Sequence, residues 1–437
     1  MAAEPYDETR HHTGAYRTLL RGADLAGLSA SVQGALDDAG CSFGDEQRFV
    51  VDPVPRLLHG AEWDALARGL SQRVAALEAF VADVYGERRI VAEGVVPERV
   101  IAGAVHHEPG VAGIAVGTWI TVAGLDLVRR EDGRFAVLED NVRTPSGLAY
   151  LQAARDAVGS RMAIPGGRRL RAVEGLAPAL GRALARAAHV EDPCIVLLTD
   201  GSDNTAYWEH RALAEAIGVP LVTANRLRRE GDRLLHDGRQ VDVVYRRTEL
   251  ERLSGPLADL LEAPLRAGKL AVANAFGTGI ADDKLVHAYV EDMVRFYLGE
   301  EPELPSVRTF DLHDPVVRGE ALDRLGEIVV KPRSGHGGRG VVIGPQATPD
   351  ELRLVREAIR ETPDQFVAQE LIMLSRHPTV GADGLAPRHV DLRPFVISGG
   401  GRRHVVPGGL TRVALEEGEM IVNSSRNGGA KDTWVLD

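Results

Sequence analysis

Between residues 175 and 277 the chain changes character every few residues. "GLAPALGRALARAAHV" carries a helical apolar period, and "CIVLLTDG" is a short unbroken apolar run ending at a turn. "TAYWEHRALAEAIG" is helical again and is closed by Gly218, and "VPLVTA", "QVDVVYRR" and "KLAVANAFG" are further strand-like runs. Few folds satisfy such an alternation. Strands joined through helices pair in parallel, so this stretch predicts a small α/β unit around a parallel sheet.

The remainder is too long for one ordinary domain, since the chain has 437 residues. Three parts are expected: 1–165, 166–275 and 276–437. The first holds helices over 18–40 and 61–85, the second with Trp63, Leu66, Leu70, Val74, Leu77, Phe80, Val81 and Val84 on one face. Two strands around a turn follow over 118–141. The third part opens on the helical "DDKLVHAYVEDMVRFYLG". It continues through "EIVVKP", a glycine loop, "GVVIGP", a helix over 350–361, "FVAQELI" and a strand-rich tail.

A net charge of −12 argues against a nucleic-acid or membrane-surface protein, though not against a local basic cleft. The opening "MAAEPYDETRHH" lacks a basic region followed by an apolar run, and no apolar stretch is long enough to span a bilayer. Cys41 and Cys194 stand far apart in no metal-like spacing, so free thiols in a reducing cytoplasm are expected. Of 51 basic residues only Lys269, Lys284, Lys331 and Lys431 are lysines. Such a chain either retains Lys where a compact ammonium is needed, or reflects a GC-rich genome with a few lysines left over.

In "GLDLVRREDGRFAVLEDN" the Asp132-Gly133 pair between alternating runs predicts a two-residue hairpin loop. Glu131 then faces Arg134, Asp126 lies opposite Glu139, and Asn141 falls on the same face. Opposed carboxylates repel, which points to a cation or a shared proton between them. Oxygen donors of this kind suit Mg²⁺. The plainer reading is a solvated hairpin face, and one register slip would separate the residues.

"EIVVKPRSGHGGRGVVIGP" places Lys331 at the end of a strand, then Ser334, Gly335, Gly337, Gly338 and Gly340, then another strand. Neither a Walker A loop nor a dinucleotide fingerprint has that order. Strand, glycine loop and strand make a flap whose backbone N–H groups can close over phosphates; an ordinary bend is the plainer reading. In "FVAQELI", a strand edge running into a linker could offer backbone groups to adenine and Glu370 to a ribose. "RHVDLRPFVI" carries Asp391 and Arg393 on one strand face, "GGLTRVAL" carries Arg412, and "NSSRNGGAKDTW" carries Asn423 and Lys431.

In the second half, "DDKL", "VVKP", "SGHGGRG", "AQEL", "DLRPF", "TRVAL" and "NSSRNGG" follow the order of an ATP-grasp core. The Asp strand and the Glu-x-Asn strand that normally end such a core appear instead as "GLDLVR" and "VLEDN" near 124–141. With "DPVPR", "YWEH", "YRR", "NAFGTGIADDK" and "RHVDLRPF", the chain resembles the circularly permuted type 2 ATP-grasp family from about Tyr6 to Trp434. The resemblance implies an α/β (α+β) ATP-grasp fold, permuted, with 166–275 as a small pre-ATP-grasp-like domain. Asp200 stands where a proline is expected, and Glu78 where the family usually has Asn.

By that resemblance the chain is an ATP-dependent carboxylate–amine ligase working through an acyl phosphate. Asp126, Glu139 and Asn141 would hold Mg²⁺, two ions. Lys284, Lys331, Ser334 and the flap glycines would hold ATP phosphates, with Gln369, Glu370 and Leu371 at the adenosine hinge. Arg393, Arg412 and Asn423 are the catalytic candidates, Arg393 first and Arg412 second for the oxyanion. Arg143, Ser146, Tyr245, Arg246, Arg247 and Lys431 are substrate-side candidates, while Glu209 and His210 read as structural. A helical partner protein is a further implication of the family. A phosphotransferase that forms product without an amine, and a nucleotide-sensing module without turnover, are the competing readings.

Overall fold

The structure, a computed structural model, describes residues 4–437 except 45–46, 174, 189, 249–251, 335–339, 418, 420–421 and 423–427. Its organising element is the helix Gly60–Val84, which buries Trp63, Leu66, Leu70, Val74, Leu77, Phe80, Val81 and Val84 in the largest apolar cluster. The helical reading of 18–40 is corrected to two helices, Thr13–Leu20 and Leu25–Asp38. Asp24 breaks the run, because its carboxylate accepts the Gly27 N–H at 2.9 Å and caps the second helix.

The middle of the chain forms a four-stranded parallel sheet in the order Ala271–Ala273, Val243–Arg247, Ile195–Thr199, Leu221–Val222. Helix Tyr207–Ile217 ends at Gly218, whose φ of 70° is the left-handed cap that glycine accepts without steric penalty. A second sheet runs Thr309–Asp311, Phe366–Glu370, Ile328–Pro332, Val342–Ile343, all antiparallel. Helices Pro315–Asp323 and Pro349–Glu361 cover one face of it over Phe310, Leu322, Ile328, Val330, Ile359 and Ala368. Of "DDKLVHAYVEDMVRFYLG" only Val290–Leu298 is α-helical, with 3₁₀ turns Thr278–Asp282 and Val286–Tyr289 before it.

The two ends of the chain share their strands. Strand Gly429–Leu436 lies between Thr411–Val413 and Val51–His59, parallel to the latter. Strand Phe395–Gly399 pairs with Val122–Gly124, and an isolated bridge joins Leu127 to Leu392. Early strands therefore complete late sheets, which is what a permuted order of pieces requires.

The hairpin is Asp126–Arg129 with Phe135–Glu139, and its turn departs from the expected one. Arg129 faces Phe135, Arg130 N–H donates to the Arg134 carbonyl at 2.9 Å, and Gly133 N–H to that of Arg130 at 2.9 Å. The loop therefore has three residues, 131–133, with Gly133 at φ 82°. A second irregularity offsets this one. Pairing passes from Leu127↔Val137 to Asp126↔Glu139, so Leu138 is an extra, bulged residue. Asp126 and Glu139 are opposite one another, as expected, but through two shifts that cancel.

Among the described residues no helix is long and apolar enough to cross a membrane.

Candidate active site

A cleft of about 440 Å³, within the usual range for a small-molecule site, opens between the hairpin and the Lys331 sheet. Asp126, Glu139 and Asn141 line it from the first part of the chain; Lys284, Lys331, Arg393 and Arg412 line it from the last. Residues as far apart in sequence as Asp126 and Arg412 are thus brought to one cleft by strand pairing across the permutation.

Asp126 is buried and heavily compensated. Its carboxylate accepts from Arg393 Nε at 2.6 Å and Nη2 at 2.9 Å, and Arg412 Nη2 lies 2.9 Å away. Burial alone would raise its carboxyl, but the two guanidiniums outweigh burial and hold it at about 2. Arg412 also grips the buried Asp391, whose carboxyl burial pushes up. Glu139 sits 3.5 Å from the Lys331 ammonium. Burial would lift the Glu139 carboxyl, and Lys331 and then Lys284 bring it below the usual range.

These residues fit a hard divalent cation. Two facing carboxylates and an amide are oxygen donors of the kind Mg²⁺ takes, and a carboxylate, with about four acceptor sites, keeps one beyond the three guanidinium contacts of Asp126. The Asn141 amide nitrogen is buried with no hydrogen-bond partner among the described residues, consistent with a side chain retained for its oxygen.

Lys331 ends its strand opposite Val367 and donates to Gln369 Oε1 at 2.7 Å. Burial lowers the Lys331 ammonium pKa, with Glu139 opposing the shift. Gln369 in turn donates to the Leu138 carbonyl at 3.2 Å and to Thr309 Oγ1 at 3.0 Å. Gln369 is thus a buried brace behind Lys331 and does not line the cleft, whereas Ser334, Glu370 and Leu371 do. The Glu370 carboxylate is held by Arg324 through two 3.0 Å bonds. Val329, Ile343, Ile372 and Leu374 give this end an apolar lining. Gly335, Gly337, Gly338 and Asn423 lie outside the described residues; the flanking strands pair as Val329↔Ile343 and Val330↔Val342, the strand–loop–strand order of a flap.

The substrate-side candidates separate. Arg143 and Ser146 line the cleft. Arg247 does not, but supports them: it donates to Ser146 Oγ at 2.7 Å, to the Pro145 carbonyl at 2.7 Å and to Glu209 at 3.0 Å. Glu209 also accepts Gly147 N–H at 2.7 Å, so its buried position is structural. Tyr245 is a core side chain of the parallel sheet. The Arg246 guanidinium lies 4.8 Å from the Phe276 ring centroid, and burial with Arg143 and Arg247 nearby brings its pKa down to about 10. Lys431 is fully buried away from the cleft, on Asp52 and the carbonyls of Val54 (3.3 Å) and Pro378 (3.0 Å).

Two groups escaped the sequence reading. Asp140, between Glu139 and Asn141, is among the residues lining the cleft, and its carboxylate is taken up by Arg73 at 2.6 and 2.7 Å and by His287 Nδ1 at 2.7 Å. Asp282 and His106 line the cleft beside Arg143. Burial, outweighing Arg143, lifts the Asp282 carboxyl to about 6; burial and then Arg143 lower His106 to about 4. The acid pair in "IADDKL" was the available signal, since Asp282 stands two residues before Lys284. Glu78, the departure noted above, is a buried brace that accepts Trp119 N–H and Ile120 N–H at 2.7 Å each.

An acid–amide hairpin facing a lysine-bearing antiparallel sheet across one cleft defines an ATP-grasp architecture. The chain belongs to the circularly permuted ATP-grasp type 2 family, whose sequence model matches residues 55–414. An uncharacterized protein of Mycobacterium leprae is 41% identical over 99% of this chain and 82% of its own length. A Frankia casuarinae protein whose name proposes a glutamate–cysteine ligase is 43% identical over 98% of this chain, which spans 53% of that longer relative. In structure the chain is similar to a glutathione synthetase-like effector of Globodera pallida in its apo form. The TM-score is 0.61 at 13% identity, covering 94% of this chain and 98% of that one, a likeness of fold.

Proposed function

We propose that the protein is an ATP-dependent carboxylate–amine ligase that forms an amide through an acyl phosphate and releases ADP and phosphate. The observation that carries this reading is the pairing of Asp126 with Glu139, beside Asn141, in one cleft with Lys284 and Lys331. The family and the name of the Frankia relative support a ligase of this general kind.

A divalent cation held by Asp126, Glu139 and Asn141 would supply positive charge to the phosphate oxygens. Lys284 and Lys331 would bind and screen those oxygens as the substrate carboxylate attacks the γ-phosphorus. Gln369 fixes the Lys331 ammonium so that it need not reorganise. Val329, Ile343, Ile372 and Leu371 would flank adenine, with Glu370 at the hinge. Arg393, oriented by Asp126, would stabilise the oxyanion formed when an amine attacks the acyl phosphate and phosphate leaves, with Arg412 beside it. No nucleophilic side chain is needed.

The test is ADP release by purified protein with MgATP and pools of carboxylates and amines, with Glu139→Ala as control. The expected result is release that needs both pools and falls at least about a hundredfold in the variant. Release with a carboxylate alone would identify a phosphotransferase. MgATP binding without turnover in any pool would argue for a sensor, or for a chain that needs its partner.

A further inference from the structure

The opening segment of the chain lies against the back of the Asp126–Glu139 hairpin. Glu8 N–H donates to the Arg376 carbonyl at 3.0 Å, and Arg376 N–H to the Tyr6 carbonyl at 2.8 Å, which fixes the backbone of the segment. The Glu8 side chain then enters the interior between two guanidiniums, with Arg56 Nη2 at 2.5 Å and Arg129 Nε at 3.1 Å. All three side chains are buried, and both arginines approach the Phe135 ring, Arg129 at 4.1 Å and Arg56 at 5.4 Å from its centroid. Burial alone would raise the Glu8 carboxyl, but Arg56 and Arg129 outweigh it and hold the group below the usual carboxylate range.

Each arginine continues toward the cleft. Arg129 ends the strand that begins at Asp126. Successive residues of a strand face opposite ways, so Asp126 and Val128 line the cleft while Arg129 points behind it. There Arg129 also donates to the Gly133 carbonyl at 2.8 Å and to Glu62 of the long central helix at 2.5 Å, which closes the turn and ties it to that helix. Arg56 donates to the Asp391 carbonyl at 3.1 Å. The Asp391 carboxylate in turn holds Arg412, whose Nη2 lies 2.9 Å from Asp126. Through the two arginines, one carboxylate thus reaches both the strand that bears Asp126 and the segment that orients its partner Arg412.

The hairpin needs such a hold. Its three-residue turn and its Leu138 bulge offset each other only when both are present, and a slip of one residue would turn Asp126 off the cleft face. A buried Arg–Glu–Arg triad is a poor source of net stability, because desolvation offsets most of the attraction between its charges, and apolar side chains of similar size can replace it. Apolar contacts lack direction, whereas charge-assisted hydrogen bonds fix donor and acceptor in one geometry. We propose that Glu8 is a positioning residue for the cation site: through Arg129 and Arg56 it sets the register in which Asp126 meets Glu139 and Arg412. The opening segment thereby acts on the site, although none of its described residues lines the cleft. This rests on the reading of Asp126, Glu139 and Asn141 as cation ligands.

The test measures binding of a non-hydrolysable ATP analogue by calorimetry, with and without Mg²⁺, together with the urea midpoint of each protein. Glu8→Gln removes the charge and keeps the shape. A triple variant, Glu8→Leu with Arg56→Met and Arg129→Met, replaces the whole triad by apolar side chains. Lys431→Met breaks a buried ion pair away from the cleft and serves as the control for instability. In the wild type Mg²⁺ is expected to tighten binding by more than about tenfold. Glu8→Gln and the triple variant should each cut that gain by at least about fivefold, with affinity in the absence of Mg²⁺ within about twofold of wild type. The triple variant should do so with a urea midpoint within about 0.5 M of wild type. Lys431→Met should keep the full gain despite a lower midpoint. A full Mg²⁺ gain in Glu8→Gln, or in a folded triple variant, overturns the proposal. So does an equal loss of the gain in Lys431→Met, which would trace the effect to instability alone. If the triple variant does not fold, Glu8→Gln against Lys431→Met decides. Wild-type binding that is indifferent to Mg²⁺ overturns the cation reading and the proposal with it. The ligase reading fails separately, by Mg²⁺-dependent binding without ADP release in any substrate pool, and the Glu8 comparison still decides the proposal in that case.

Discussion

Asp140 and His287 are joined by a buried 2.7 Å hydrogen bond between Oδ2 and Nδ1. The contact ties the strand bearing Glu139 and Asn141 to the segment three residues beyond Lys284. Arg73 closes the arrangement from the long central helix and also donates to Ser306 Oγ at 2.9 Å. Asp140 therefore sets the position of its two neighbours by anchoring their segment to the helix and to the lysine segment, its carboxylate committed to Arg73 and His287.

Asp140→Asn would remove the carboxylate paired with the buried Arg73 guanidinium. The expected loss of stability is about 3–5 kcal/mol, the usual result of breaking one side of a buried pair. Urea denaturation checks it. A cost below about 1 kcal/mol would mean that the network relaxes readily and does not hold the strand.

Lys331→Met should weaken MgATP binding by more than about tenfold, because the ammonium braced by Gln369 is the fixed cation of its wall. Gln369→Leu should weaken it less, by releasing Lys331 without removing its charge. Calorimetric titration with a non-hydrolysable ATP analogue would rank the two. An equal or larger effect at Gln369 would mean that the amide itself contacts nucleotide.

Asp282 contributes a pH dependence whose sign follows from its raised carboxyl. The folded protein holds that proton up to about pH 6, whereas the unfolded chain releases it near 3.8. Stability is therefore full below the unfolded value and is lost as pH rises through the folded one, by up to roughly 3 kcal/mol. Asp282→Asn, which cannot ionise, should gain on the wild type between pH 4 and pH 8. Denaturation at both pH values would show no such gain if the carboxyl ionised normally.

Lys431→Met should unfold more readily, by about 3–5 kcal/mol, since Asp52 would be left buried and unpaired. MgATP affinity should hold, as Lys431 lies behind the sheet and not in the cleft. A selective rise in substrate KM with unchanged stability would instead return Lys431 to the substrate side.

Much of the site was legible because chain order and residue type carry it. The strand ending at Lys331, the glycine-rich connection after it, and the Glu-x-Asn spacing are local patterns, and each names a chemistry before any packing is known. Asp126↔Glu139 was legible for a subtler reason. Two-residue and three-residue turns differ by one register step, and the Leu138 bulge reverses that step, so the right pair follows from the wrong loop. Gln369, Arg247 and Lys431 show where such patterns stop. All three are polar and close to motif residues, yet each turns inward to hold something else, and nothing in a one-dimensional pattern says which way a side chain faces.

Read along the chain, the residues are enough to set the kinds of element, their order, the break in that order that marks a permuted core, and the donors available to phosphate and metal. These depend on apolar period, turn chemistry and residue type, which are properties of neighbours in the chain. It took packing in three dimensions to share Asp126 between two arginines, to face Asp140 to Arg73 and His287, and to stand Arg143 and Asp282 3.6 Å apart in the cleft. Those relationships join residues more than 60 positions apart. They arise from burying charge, which is tolerable only where a distant partner is brought within reach.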